Sequence, residues 1–202
     1  CSRDVAMSAA DLQLRPAKID DAADLARFID YAGEGLPSYL WQKLVEPGET
    51  PLDVGRRRAA RDEGGFSYRN ATMAEFDGRV GGGLIGYRLG DEPEAIEYDD
   101  MPAMFVPLQE LENLAPGTWY INAIASLPDM RGRGIGSALL EAAGTFAVET
   151  ASRGLSLIVS DGNEGAVKLY LRSGYDQRAS RPMVKEDWQN AGENWLLMTK
   201  SL

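Results

Sequence analysis

The chain has 202 residues, 44% of them hydrophobic and 26% charged, which is ordinary for a soluble globular protein that buries its own core. Its formal net charge of -10 repels nucleic-acid phosphates and anionic membranes, so neither is expected as a partner. It contains no histidine, which excludes a Ser-His-Asp triad, a Cys-His pair and histidine metal sites, and no metal is expected.

At the N-terminus stands Cys1, the only cysteine, so no internal disulfide can form. That fits a reducing compartment, and a cytoplasmic location is expected. No signal-peptide pattern follows, and no apolar run reaches the roughly 18 to 20 residues of a membrane span. Residues 12–17 alternate apolar and polar and predict a strand. Asp20 or Asp21 caps a helix to Tyr31 that keeps Ala22, Leu25, Phe28 and Ile29 on one face. Gly33, Gly35 and Pro37 break it. Residues 37–45 and 51–63 read as helices, and the cluster Arg56, Arg57, Arg58 and Arg61 as a solvated helix face. Residues 70–76 and 80–89 read as strands joined by a hairpin turn at Asp77-Gly78. Gly81 to Gly83 weaken the second strand and mark a bulge or a close backbone approach.

Residues 91–117 hold eight acidic residues, no basic ones and four prolines, with a short helix expected over 104–114. They read as an acidic insert lying over one domain that spans 1–202. Residues 118–127 predict a buried strand ended by Pro128, followed by a glycine-rich turn and an amphipathic helix over 135–151. Residues 155–160 read as a second buried strand and 163–172 as a helix stopped by Gly174. Residues 175–184 and 194–200 predict a closing strand pair.

The turn Arg131-Gly132-Arg133-Gly134-Ile135-Gly136-Ser137 carries chemistry. Glycines let backbone N–H groups face a ligand, and the helix that follows adds unpaired N–H groups and a partial positive charge. Together they suit a phosphate. A Walker turn requires a lysine, and none is present here. The dinucleotide fingerprint places a third glycine where this chain has Ser137 or Leu139. A nucleotide-binding switch domain therefore fails on spacing.

Arg131, Gly134 and Gly136 do satisfy the Arg-x-x-Gly-x-Gly pyrophosphate loop of the GNAT superfamily of N-acetyltransferases, which this sequence resembles. Asn163, Ala166, Leu169, Tyr170, Gly174 and Tyr175 match a second motif of that family, one helix and one strand further on. The resemblance is strong over roughly the C-terminal 85 residues. It implies an α/β fold with a mixed, mostly antiparallel sheet flanked by helices, and two splayed central parallel strands. It implies acetyl-CoA as the cofactor and an N-acetyltransferase acting on a primary amine of a small molecule or peptide. A non-catalytic acyl-CoA-binding module of the same fold is the alternative, and a homodimer is the assembly considered.

On that resemblance, Ala125 and Ser126 would pair with the pantetheine amides, and Arg131, Gly132, Arg133, Gly134, Ile135, Gly136 and Ser137 would hold the pyrophosphate. Tyr170 matches the tyrosine that protonates the leaving thiolate; read alone, it is also a good packing residue. Asn163 either contacts the cofactor or only caps its helix, and both roles are compatible. Some relatives carry a glutamate at the start of the strand before the loop, where this chain has Thr118. Glu34, Glu110 and Glu112 are the candidate bases, each also readable as a surface charge. An acidic insert bordering the acceptor cleft would favour a cationic or neutral amine.

Overall fold

The computed structural model describes residues 12–202. Seven strands form one sheet in the order β1-β2-β3-β4-β5-β7-β6. These are β1 (Leu12–Pro16), β2 (Ala71–Phe76), β3 (Arg79–Arg88), β4 (Trp119–Ser126), β5 (Leu155–Ser160), β6 (Asp176–Pro182) and β7 (Asn194–Lys200). Every neighbouring pair is antiparallel except β4 with β5, which run parallel. Cys1 lies outside the described residues.

Six helices flank the sheet: α1 (Ala22–Ala32), α2 (Leu36–Trp41), α3 (Pro51–Ala59), α4 (Val106–Glu112), α5 (Ile135–Glu149) and α6 (Glu164–Arg172). In α5 the residues Ile135, Leu139, Ala143 and Ala147 recur at helical spacing and are all buried against the sheet. The parallel pair needs a crossover, and α5 supplies it. The β2–β3 hairpin turns at Asp77 and Gly78, both at positive φ, which matches the twist of the flanking strands. No helix among the described residues is long and apolar enough to cross a membrane.

Three boundaries differ from the pattern-based expectation. The helix expected over 37–45 is α2 followed by a separate 3-10 turn at Gln42–Leu44. The next helix, α3, stops at Ala59 because polar side chains hold the following loop. Ser67 Oγ donates to the Arg61 carbonyl at 2.5 Å, and Asn70 Nδ2 to that of Gly64 at 3.1 Å. Strand β6 ends at Pro182, which has no N–H to donate.

Residues 91–117 contain α4, which packs on β5, β6 and β7. Its apolar face joins Leu111 and Ala115 to Leu36, Trp188, Trp195 and Leu197 in a second core cluster. The expectation that these carboxylates lack basic partners is corrected here. Asp91 accepts from Arg88 at 2.6 Å, and Glu110 from Arg181 at 2.7 Å. Both arginines come from strands folded next to the segment, which chain order alone does not reveal.

Candidate active site

The site begins with an irregularity in β4. Its pairing with β3 steps from Gly86↔Ile121 to Ile85↔Ala123, so Asn122 is an extra, bulged residue. A bulge bends its strand and increases its twist. On the other edge, β4 pairs with β5 only over Trp119↔Leu155, Tyr120↔Ser156 and Ile121↔Leu157. Beyond that point β4 stays with β3 out to Ser126, and β5 stays with β7 out to Ser160. The two parallel strands therefore part at the bulge.

A cavity of about 640 Å³ fills the opening. Ten predicted site residues line it: Ala125, Ser126, Arg131, Gly132, Gly134, Ile135, Gly136, Ser137, Asn163 and Tyr170. Arg133 is not part of the lining; its charge acts on Asp129, which also holds Arg79 at 2.8 Å. Sequence reasoning missed Asn122, Tyr31, Ala32 and Arg172, which also line the cavity. The signal for Asn122 was present, as a lone amide inside the apolar run of β4. The α1 pair Tyr31 and Ala32 carries no comparable mark.

The turn before α5 is built for backbone exposure. Gly132 and Gly134 have φ of 75° and 83°, a left-handed conformation that glycine adopts without steric cost. A Cβ on Gly134 would meet no atom within 4 Å, so the space in front of the α5 N-terminus is open. Behind the turn, close approach is needed instead. A Cβ on Gly82 would lie 2.7 Å from both the Ala125 carbonyl and Ile135 Cγ2. Gly81 is the bulged residue of β3 opposite the step from Ala74↔Gly82 to Glu75↔Val80. The glycine run thus supplies both a bulge and a flat seat for the start of α5.

Helix α6 closes the far side. Asn163 Oδ1 accepts from Ala166 N at 3.2 Å, so it caps the helix while also lining the cavity. Seven residues on, Tyr170 is 7% exposed and reaches the same cavity. Its ring centroid lies 6.0 Å from that of Tyr175. Burial pushes the Tyr170 phenol well above its ordinary value, so it keeps its proton at neutral pH.

None of the three candidate bases lines the cavity. The Glu110 carboxylate is paired with Arg181. Glu34 sits in the α1–α2 loop at φ 52°, with its carbonyl accepting from Trp188 Nε1 at 3.2 Å. Glu112 faces Tyr120, and its carboxyl is pushed up to about 7 by burial, then by the nearby Glu94. Nor does any part of 91–117 line the cavity, so the acidic segment does not border it as expected. Packing on the β5–β7 side turns it toward a separate recess of about 20 Å³.

A family model described as the acetyltransferase (GNAT) family matches residues 37–175. The chain belongs to that family, whose co-substrate is acetyl-CoA. Its fold is similar to that of an N-acetyltransferase from Staphylococcus aureus Mu50, with 20% identity and a TM-score of 0.61 over 93% of this chain and 99% of that one. A GCN5-related N-acetyltransferase from Kribbella flavida shows 19% identity and a TM-score of 0.61 over 96% and 100%. A GNAT family acetyltransferase from Elizabethkingia anophelis with acetyl-CoA bound shows 17% identity and a TM-score of 0.54 over 95% and 99%. No curated protein matches the sequence.

Proposed function

We propose that this protein transfers the acetyl group of acetyl-CoA to a primary amine of a small molecule or peptide by direct attack. The observation that carries the reading is the single cavity joining the α5 N-terminus, the β4–β5 opening and Tyr170. Its residues fit the co-substrate. The open space before Gly134, the exposed N–H groups and Arg131 suit a pyrophosphate. The inner edge of β4 at Ala125 and Ser126, turned away from β5, offers backbone groups to the pantetheine amides.

Acetyl-CoA supplies an activated acetyl thioester: a C–N bond forms, the C–S bond breaks, and sulfur leaves with the electron pair. The protein holds the two reactants in line, which is a large part of the acceleration. A backbone N–H of the β4 edge is placed to stabilise developing negative charge on the carbonyl oxygen. Tyr170, kept protonated by burial, gives its proton to the leaving sulfur. Asn163 fixes the start of α6 and so the reach of Tyr170.

The test is a thiol-release assay with acetyl-CoA and tyramine, spermidine, lysine or an alanyl tripeptide, with acetylated product identified by mass. Amine-dependent release supports the reading. Tight acetyl-CoA binding with no turnover across that panel would instead support a non-catalytic binding module.

A further inference from the structure

Transfer to an ammonium requires loss of a proton before the nitrogen lone pair can attack, and no carboxylate lines the cavity to take it. One carboxylate lies behind the wall. Asn122, the bulged residue of β4, forms part of that wall and donates from Nδ2 to Tyr87 Oη at 3.4 Å. Tyr87 and Tyr120 are register partners on β3 and β4, so their rings share one face of the sheet. Their centroids are 5.8 Å apart at 63°. Tyr120, 6% exposed, faces the Glu112 carboxylate of α4. Because the Tyr87 oxygen accepts from Asn122, its own O–H is left to point onward, toward Tyr120 and Glu112.

We propose that Glu112, acting through the Tyr120 and Tyr87 hydroxyls, is the sink for the proton that the acceptor ammonium loses. The proposal rests on the acetylation reading above. The N–H bond breaks with its electron pair staying on nitrogen, and Tyr87 oxygen takes the proton at the cavity wall. Each hydroxyl hands on its own proton as it accepts another, so no tyrosinate forms, and Glu112 ends as a neutral carboxylic acid. It returns the proton to solvent through the recess it lines on its other side. The second proton on nitrogen is lost as acetyl transfers and balances the one that Tyr170 gives to sulfur.

The surroundings suit a group that both takes and releases a proton near neutrality. Glu94 faces Glu112 from the preceding loop, Tyr87 from β3 and Tyr120 from β4. The nearby cations Arg181 and Arg88 are engaged by Glu110 and Asp91. Burial and the Glu94 charge hold the carboxyl at about 7, where a base works best at physiological pH. Burial likewise keeps both phenols protonated across this range.

The experiment measures kcat/KM against pH for whichever of tyramine, spermidine, lysine or the alanyl tripeptide turns over. The parent should show a limb that rises through about pH 7. Glu112→Gln should lose that limb and run roughly 10²-fold slower at neutral pH, with the KM for acetyl-CoA unchanged. Tyr120→Phe should reproduce the loss, and Glu112→Asp should restore the limb in part. A merely structural role would lower the rate equally at all pH values and leave the limb in place, which overturns the proposal. So does a Tyr120→Phe variant indistinguishable from the parent, and this variant still decides the matter should Glu112→Gln not fold. If the parent binds acetyl-CoA but acetylates none of the four amines, the acetylation reading fails and this inference fails with it. Turnover with a pH profile indifferent to Glu112→Gln sinks this inference alone.

Discussion

Trp188 donates its indole N–H to the backbone carbonyl of Glu34 at 3.2 Å, tying the β6–β7 loop to the α1–α2 loop. Tyr39 and Lys43 reach the same loop through Glu186, at 2.9 and 3.0 Å. Trp188 also stacks on Trp195 with centroids 5.9 Å apart at 9°. Trp188→Phe keeps an aromatic stack and removes the hydrogen bond. It should cost about 0.5–1.5 kcal/mol, whereas Trp188→Ala, which empties a buried site, should cost about 3–5 kcal/mol. Urea denaturation of the two variants checks both values; equal losses would mean the hydrogen bond contributes nothing.

Gly134 stands in left-handed backbone with open space before it. Gly134→Glu puts a side chain in a conformation that costs roughly 1–2 kcal/mol, and a carboxylate where phosphate is expected. Coenzyme A binding measured by calorimetry should weaken at least about 10-fold, equal to about 1.4 kcal/mol. Parent-like affinity in a folded variant would place the pyrophosphate elsewhere.

Tyr170→Phe removes one buried hydroxyl from the cavity wall and leaves the ring to pack beside Tyr175. Turnover should fall by roughly 10²- to 10⁴-fold, with acetyl-CoA affinity nearly unchanged. The measurement is single-turnover acetyl transfer, so that product release does not mask the step. An unchanged rate would reduce Tyr170 to a packing residue.

Glu112 also makes a prediction about stability. Its carboxyl is raised from an ordinary 4.5 to about 7 in the folded protein. Between those values the folded state binds more proton than the unfolded chain, so stability falls as pH rises through that window and stays lower above it. Glu112→Gln removes this dependence. The variant should be more stable than the parent at pH 8 by about 1–3 kcal/mol, with the difference vanishing below the ordinary value of 4.5. Denaturant midpoints at the two pH values measure it, and a variant less stable at pH 8 would contradict the burial of an unpaired carboxylate.

Much of this was legible in the chain because local chemistry imposes it. The Asp77-Gly78 turn, the apolar face of α5 and the Asn163 cap each depend on neighbours within a few residues, and each stands where the pattern put it. The glycine turn was legible for the same reason, since its function is local backbone geometry. Relations across the sheet were not. Arg181 lies 71 residues from Glu110, and no period connects them. The acidic run looked like one electrostatic unit in sequence. Folding distributes it among an ion pair at Asp91, another at Glu110 and a desolvated acid at Glu112. The Tyr87–Tyr120 pair was hidden likewise, because strand register, not spacing, brings the rings together.

The parting of β4 from β5 leaves the sheet as two plates riveted by three residue pairs. A molecule lying along the opened edges would take the place of the missing rungs and carry load between the plates. Ligand and scaffold are then not separable: what feeds the reaction also completes the architecture. Because such a molecule adds to stability as RT ln(1 + [L]/Kd), the supply of acetyl-CoA sets how long a copy of this protein resists unfolding and proteolysis. Scarcity of the co-substrate thus weakens the catalyst itself, shortening its lifetime as well as slowing its work.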